Sequence, residues 1–201
     1  MMEWLELFLK ANLDKYHLLA IYITMTLESA CIPIPSEIVM PYAGHLVAQG
    51  SLSITRATLV GGLANLTGSW LAYAVGRLGG RAFIEKYGRY ILLSKAHLRE
   101  ADHWFATKGE ITVFLSRLLP GVRTFISLPA GIARMDIVRF SLYSFLGSLP
   151  WNFALVYLGY TFSNNWGAVK QYLHEFNLVA FLLIAVVVAA IYIIRKRKNR
   201  S

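Results

Sequence analysis

The sequence predicts an all-α, polytopic membrane protein, and three observations support this fold class. Hydrophobic residues make up 56% of the 201 residues and charged residues only 15%, whereas soluble domains average about 25% charged residues. Residues 176–194 form an apolar run without a single charge. Two other apolar segments are interrupted by prolines and charges, a pattern that indicates broken helices inside a membrane protein.

The N-terminal residues 1–17 mix large apolar side chains with acidic and basic ones at short spacing. Such a mixture is typical of an amphipathic helix that lies on the membrane surface instead of crossing it. The acidic residues near the start also differ from the basic n-region of a cleavable signal peptide. We therefore predict an interfacial helix over residues 1–17 and no signal peptide.

Residues 18–50 form the first broken segment, which contains the sequence ESACIPIPSE. Its two central prolines, Pro33 and Pro35, cannot continue a helix, because proline lacks a backbone N–H and its ring clashes with the preceding turn. Glu28 and Glu37 flank this break. We predict a re-entrant hairpin that enters the membrane and returns to the same side, with the prolines at its tip.

The apolar segment 55–75 is long enough for a membrane span, since a helix needs about 20 residues to cross the hydrocarbon core. Its glycines permit close contact with a second helix. Residues 77–108 are polar and rich in lysine and arginine. Because basic loops favour the cytoplasm, we predict a cytoplasmic stretch here that includes a second interfacial amphipathic helix.

Residues 109–133 form the second broken segment, which contains Arg117 and Arg123. Basic residues precede and follow this segment, so by the positive-inside rule it begins and ends on the cytoplasmic side. A second re-entrant hairpin meets this condition, and it is tolerated where protein or a wet cavity shields its backbone. The residues predicted to shape its tip are Pro120, Gly121, Pro129 and Gly131.

Residues 137–160 are predicted as a further span, in which Asn152 either bonds to another helix or lines a cavity. The uncharged run 176–194 is the predicted C-terminal transmembrane helix. The tail 195–201 holds five of the twenty lysines and arginines, which predicts that the C-terminus is cytoplasmic. Because the charge is concentrated beside a span, the net charge of +9 does not indicate nucleic-acid binding.

The two broken segments have similar sequences. The first contains PSEIVMPYAG over residues 35–44, and the second contains PGVRTFISLPAG over residues 120–131. Each runs from a proline past a charged residue to a second proline and an Ala-Gly pair, and each precedes a predicted span. We predict an internal repeat whose halves have opposite orientations in the membrane.

The charges of the broken segments divide by sign, with Glu28 and Glu37 in the first and Arg117 and Arg123 in the second. Hairpins that enter from opposite faces would bring these charges together, where they must pair or face water. A guanidinium suits phosphate or carboxylate oxygens, and a desolvated carboxylate can exchange protons. The pattern therefore favours phosphate binding by the arginines and proton coupling or gating by the glutamates, with simple ion pairing as the alternative.

The motifs ESACIPIPSE and FLSRLLPGVRT, the latter followed by PAG, resemble the DedA family of bacterial membrane proteins, which has a VTT, or SNARE-associated Golgi protein-like, domain. The resemblance extends over about residues 20–160. It implies a membrane domain over residues 18–160 with two facing re-entrant hairpins, located in the bacterial inner membrane.

The resemblance also implies a function. It implies a flippase for a lipid-linked phosphate, with undecaprenyl phosphate recycled for cell-envelope synthesis as the first candidate, and with dependence on protons. The acidic and arginine positions important in the family match Glu28, Glu37, Arg117 and Arg123 here. Some relatives have Asp where this chain has Glu37.

Two alternatives stay open. A proton-coupled ion or drug antiporter, or a membrane-homeostasis protein, would use the arginines only structurally. A lipid-phosphate enzyme is less favoured, because no histidine follows Ser116-Arg117 until His174 and no catalytic triad or paired-aspartate metal motif is apparent. We therefore predict no enzymatic activity, metal or cofactor. The expected partners are a polyprenyl phosphate or other anionic lipid, the membrane and protons, and the sequence is compatible with an oligomer.

Overall fold

The structure is a computed structural model that describes residues 7, 11–32, 34–80 and 95–163, and of residues 95–100 only the backbone. Every regular element within these ranges is a helix, which confirms the all-α class. Several predicted features lie wholly or mostly outside the described residues: Pro33, the interfacial helix over 1–17, the transmembrane helix over 176–194 and the tail 195–201.

After a helical stretch over residues 11–16, the first half of the described chain contains three further helices and a terminal turn. These are α1 (Leu18–Ser29), α2 (Ser36–Ala48), α3 (Ile54–Val75) and a π-helical turn (Gly76–Gly80). Helix α1 ends before a break in which Cys31 adopts a left-handed φ of 69°, and Pro35 is extended directly before α2. The helix therefore breaks at the position that the prolines predict.

The second half contains four helices. These are α4 (Lys95–Arg117), α5 (Val122–Phe125), α6 (Ser127–Ile132) and α7 (Ile137–Thr161). The break between α4 and α5 includes Pro120 and Gly121, whose φ of 77° is a conformation that glycine adopts without steric cost. Asp136 caps α7 by accepting a hydrogen bond from the backbone N–H of Arg139 at 2.9 Å, as is typical of helix starts.

Two features of the second half differ from the prediction, namely the boundary at residue 109 and the positions of two tip residues. Helix α4 begins at Lys95, so the predicted interfacial helix and the first arm of the segment 109–133 are one continuous helix, since no proline interrupts them. Pro129 and Gly131 lie inside α6 and not at the break. Proline is tolerated there because it occupies the first helical turn, where the backbone N–H has no intrahelical partner.

Glycines bring α3 close to α1 in the first half and α7 close to α4 in the second half. A Cβ at Gly68 of α3 would overlap the carbonyl oxygen of Thr26 in α1. A Cβ at Gly147 of α7 would lie 2.9 Å from the carbonyl oxygen of Phe114 in α4. Only glycine allows helix axes to approach so closely at these two crossings.

Other glycines join α3 and α7 to the opposite half. Gly44 of α2 packs on the backbone of Val156 in α7, and Gly131 of α6 packs on the backbone of Tyr73 in α3. Helices α3 and α7 also contact each other. Each half is therefore interlocked with the other through α3 and α7, which lie at the centre of the helix packing.

Large apolar side chains lie both inside and outside this packing. One core cluster lies among α1, α2, α3 and α7 and includes Ile21, Met40 and Val156, and a second surrounds Val113 and Phe140. Outward-facing large apolar side chains follow α1, α3 and α7: Leu19, Ile23, Leu63, Trp70, Leu71, Leu142, Leu146 and Phe153.

Helices α3 and α7 form where the sequence predicts spans, over 55–75 and 137–160. Both helices contain glycines and keep polar side chains inside, such as Asn65 and Asn152, which lowers their hydropathy. Within the described ranges, none of the helices combines enough length with enough apolar character to cross a membrane.

Candidate functional site

Three charged side chains are buried among those that the structure describes: Glu28, Arg117 and Arg123. All three lie next to a helix break. Glu28 is in the last turn of α1, Arg117 ends α4, and Arg123 is in the short helix α5. The two breaks therefore meet, and they bring one acidic and two basic groups into a single buried centre, which we call the arginine centre.

Glu28 and Arg123 form an ion pair between the two halves. Nη2 of Arg123 donates to both carboxylate oxygens of Glu28, at 2.8 Å and 2.6 Å. The side chain of Arg123 is 5% exposed and that of Glu28 is 8% exposed. The guanidinium of Arg123 also lies 5.7 Å from the ring centre of Trp151, within the range of a cation–π contact. The prediction that the charges of the two segments come together is correct for this pair.

Arg117 has a different environment, because its partners are neutral. Its Nη1 donates to the backbone carbonyl of Arg123 at 2.6 Å. Its Nη2 lies 2.8–3.1 Å from the hydroxyl oxygens of Ser69, Ser127 and Ser144, which belong to α3, α6 and α7. Its Nε is buried and has no acceptor among the described atoms.

The arginine centre has an unbalanced charge. Two guanidiniums and one carboxylate leave a net charge of +1 among its buried side chains. Serine hydroxyls and a carbonyl can solvate a guanidinium, but they do not neutralise it. A buried charge without a counter-charge is costly in a low-dielectric interior. The centre is therefore electrostatically suited to bind an anion.

Glu37 makes no ion pair with the arginines. It lies half-buried in the first turn of α2, where the helix dipole favours a negative charge. Its Oε2 accepts a hydrogen bond from the hydroxyl of Ser36 at 3.3 Å, and no described cation is within ion-pair distance of it. Of the four predicted charged site residues, three are therefore connected by direct hydrogen bonds, and Glu37 is not among them.

The serines around Arg117 were missed in the sequence. A signal for them exists in α7, where Ser144, Ser148 and Asn152 follow one another at intervals of four residues and are all buried. That spacing places the three side chains on one helix face. A polar stripe within an apolar helix indicates either a helix contact or a site, and the sequence does not distinguish the two.

The comparisons with known proteins agree with the motifs. The VTT domain model matches residues 34–161. Undecaprenyl phosphate transporter A of Bacillus subtilis (strain 168) is 37% identical over 82% of this chain and 83% of its own length. The protein of the same name from Staphylococcus aureus (strain NCTC 8325 / PS 47) is 33% identical over 93% of this chain and 95% of its own length.

A further relative, the uncharacterized membrane protein YkoX of Bacillus subtilis (strain 168), is 36% identical over 100% of this chain and 86% of its own length. No solved structure matches the chain. The family match covers more than half of the chain, and the relatives align along most of it. The chain therefore belongs to the VTT-domain family, the DedA proteins that its motifs predict, and it is a bacterial membrane protein.

Proposed function

We propose that this protein transports a lipid-linked phosphate across the bacterial inner membrane, with undecaprenyl phosphate as the first candidate. The observation that carries the proposal is the net positive charge of the buried arginine centre. A phosphate group would supply the missing negative charge and accept the directed hydrogen bonds that guanidiniums offer. Two relatives that are named undecaprenyl phosphate transporter A support the choice of lipid.

In this proposal, phosphate competes with Glu28 for Arg123. Both carboxylate oxygens of Glu28 bind the same guanidinium nitrogen, and a phosphate oxygen could accept that bond instead. A proton on Glu28 removes its charge and weakens its hold on Arg123, so proton binding and phosphate binding favour each other. Arg117, fixed by its serine partners, supplies a second positive charge that does not depend on this exchange.

Glu37 has a separate role in the proposal. Its carboxylate is half-buried at the start of α2, just after the break that contains Pro35. From there it can gate the approach to the arginine centre or exchange protons with water. The polyprenyl tail would stay in the lipid against the apolar outer faces of α1, α3 and α7.

We propose further that the two halves are an inverted repeat with re-entrant hairpins. The glycine contacts support this arrangement. Gly68 packs on α1 as Gly147 packs on α4, so each long helix crosses the first helix of its own half in the same manner. Gly44 and Gly131 likewise each pack on the long helix of the other half. With hairpins that enter from opposite faces, the arginine centre would lie near mid-membrane and the C-terminus in the cytoplasm.

Transport by proteoliposomes that contain a labelled polyprenyl phosphate tests the proposed function. Arg123→Ala and Arg117→Ala should each abolish transport while the protein still inserts into the liposomes. The matched control is Arg139→Ala, because Arg139 is 65% exposed at its side chain and pairs with Glu110 at the surface. Wild-type transport rates in both Ala variants of the arginine centre would contradict the proposal.

A proton-coupled antiporter is the second candidate, because the ion pair of Glu28 with Arg123 is also what a purely structural arginine would make. It predicts a flux driven by a pH gradient in liposomes without polyprenyl lipid, where a phosphate-lipid transporter should have none. An enzyme acting on lipid phosphates would release phosphate in the same preparation. We expect no hydrolysis, because no histidine follows Ser116-Arg117 until His174.

A further inference from the structure

Glu28 lies in the last turn of α1, where the chain stops being helical. Helix α1 ends at Ser29, and the break that follows contains Cys31 with a φ of 69°. A helix end is less constrained than the middle of a helix, because no further turn holds it. The contact of Glu28 with Arg123 therefore depends on what keeps this last turn in place.

Helix α3 holds the last turn of α1 through a hydrogen bond and a close contact. The hydroxyl of Ser29 donates to Oδ1 of Asn65 at 3.0 Å. Both side chains are buried, so bulk water does not compete for this bond. A Cβ at Gly68 would lie 2.8 Å from Cβ of Ser29, which shows that α1 and α3 touch at the same level. The end of α1 is therefore fixed to α3 at the residue after Glu28.

The amide of Asn65 is oriented by a residue of α7. An asparagine amide has its acceptor on one side and its donors on the other. Nδ2 of Asn65 donates to Oδ1 of Asn152 at 3.4 Å, and this bond leaves Oδ1 of Asn65 directed at Ser29. Asn152 is fully buried. Its side chain thus bonds to another helix, which is one of the two roles that the sequence predicts for it.

The same turn of α3 also contacts Arg117. The hydroxyl of Ser69 donates its single proton to the backbone carbonyl of Asn65, so towards a guanidinium it can only accept. Nη2 of Arg117 donates to this oxygen at 2.8 Å. Asn65 therefore contributes to both sides of the arginine centre, with its side chain towards Glu28 and its backbone towards Arg117.

We propose that Asn65 is a positioning residue of the arginine centre, which holds Glu28 against Arg123 through the hydroxyl of Ser29. A carboxylate that is already held in place loses less conformational entropy when it forms an ion pair. As far as it concerns the lipid, the inference rests on the proposed function. There, a well-positioned Glu28 competes more strongly with phosphate for Arg123, so the bond between Ser29 and Asn65 sets how readily phosphate displaces the carboxylate.

Thermal unfolding of the full-length protein in detergent, without lipid, tests the positioning role. Ser29→Ala removes the hydroxyl and keeps the Cβ that faces Gly68. It is compared in the wild type and in the double variant Glu28→Gln with Arg123→Met, which has no ion pair. Ser29→Ala should lower the melting temperature of the double variant by less than half as much as that of the wild type, because a group that acts through the pair has nothing to hold without it.

Ser148→Ala is the matched control for this comparison. Ser148 is 1% exposed, and its hydroxyl donates within its own helix, to the carbonyl of Phe145 at 2.8 Å. Its replacement should have the same effect with and without the ion pair. Equal effects of Ser29→Ala in the two proteins would overturn the positioning role, since a bond that only packs α1 on α3 is lost to the same extent in both.

Amide hydrogen exchange is a second measurement and needs only one substitution. The backbone N–H groups of Ala30, Cys31 and Ile32 bond back to the last turns of α1, so their exchange reports how firmly this helix end is held. Ser29→Ala should raise their exchange rate several-fold, and Ser148→Ala should leave it at the wild-type level. An unchanged rate in Ser29→Ala would overturn the inference, because the hydroxyl would then not hold the end of α1.

Lipid affinity connects this role with the proposed function. Ser29→Ala should bind undecaprenyl phosphate several-fold more tightly than the wild type, whereas the same substitution added to Glu28→Gln should leave the affinity unchanged. Unchanged or weaker binding by Ser29→Ala, or an equal gain in both proteins, would overturn the link to phosphate. If the wild type binds no undecaprenyl phosphate, the proposed function fails, and the unfolding and exchange results still decide the positioning role.

Discussion

At the scale of single residues, Arg117 and Arg123 differ in what holds them. Arg123 is held by the carboxylate of Glu28, a group whose charge a proton can remove. Arg117 is held by three serine hydroxyls and a carbonyl, none of which titrates. The exchangeable interaction therefore belongs to Arg123, and Arg117 provides a fixed positive charge that also ties three helices together.

This difference predicts unequal effects of lysine at the two positions. Lysine at Arg117 has one nitrogen in place of the planar fork and cannot reach all four acceptors. Arg117→Lys should lower the free energy of unfolding by about 3 kcal/mol. Arg123→Lys can keep a one-to-one ion pair with Glu28, so it should lower the free energy of unfolding by less than half as much.

Thermal unfolding of the two variants in the same detergent measures this difference. The expected order of melting temperatures is wild type first, then Arg123→Lys, then Arg117→Lys. Equal melting temperatures for the two variants would show that the serine hydroxyls around Arg117 do not hold its fork in place.

The sequence predicts part of the arginine centre at this scale. Opposite charges beside helix breaks had to meet or face water, so contact between an acidic residue of the first segment and an arginine of the second follows from their positions. Which two residues pair does not follow from the sequence. The serines of the arginine centre do not follow either, because a serine in an apolar helix forms a helix contact as readily as it binds a cation. The separate position of Glu37 depends on where α2 starts, and a pattern of charges does not contain that information.

At the scale of helices, Gly147 connects the packing of α7 to the arginine centre. A Cβ added there would lie 2.9 Å from Cβ of Arg117 and 2.9 Å from the carbonyl oxygen of Phe114. Both neighbours belong to the last turn of α4, whose backbone cannot move without displacing the guanidinium. The close contact between α4 and α7 at Gly147 therefore also fixes the position of Arg117.

We predict that Gly147→Ala destabilises the protein by about 1–3 kcal/mol, because overpacking forces the backbone to shift. Gly79→Ala is the matched control, since a Cβ at Gly79 meets nothing within 4 Å. Thermal unfolding of both variants checks the prediction. A melting temperature for Gly147→Ala as high as that of the control would mean that α4 and α7 are not in such close contact.

The positions of the helix breaks were predictable, whereas the length of one helix was not. Proline in both segments and glycine in the second stop a helix by local chemistry, and the breaks occur there. The continuation of α4 from Lys95 through to Arg117 was not predicted, because the chain changes from amphipathic to apolar without any residue that stops a helix. Tertiary packing, and not local sequence, decides whether such a stretch is one helix or two.

At the scale of the whole molecule, the two halves meet in a single charged centre. Glu28 comes from the first half and both arginines come from the second. The family match starts at residue 34, so it includes the arginines but not Glu28. Neither half contains a complete site, and the contacts of α3 and α7 with both halves keep the centre assembled.

Binding of undecaprenyl phosphate to the purified protein tests directly whether the arginine centre holds the phosphate. The informative variants are Glu28→Gln and the double variant Glu28→Gln with Arg123→Met. The double variant carries no uncompensated buried carboxylate, so it avoids the instability expected when one partner of a buried ion pair is removed. Glu28→Gln alone imitates the protonated carboxylate.

We predict that Glu28→Gln binds the lipid at least as tightly as the wild type. The double variant should lose most of the binding, and the uncharged polyprenol should not compete for the site in any of the three proteins. If the double variant binds undecaprenyl phosphate as tightly as the wild type, the arginine centre is not where the phosphate binds.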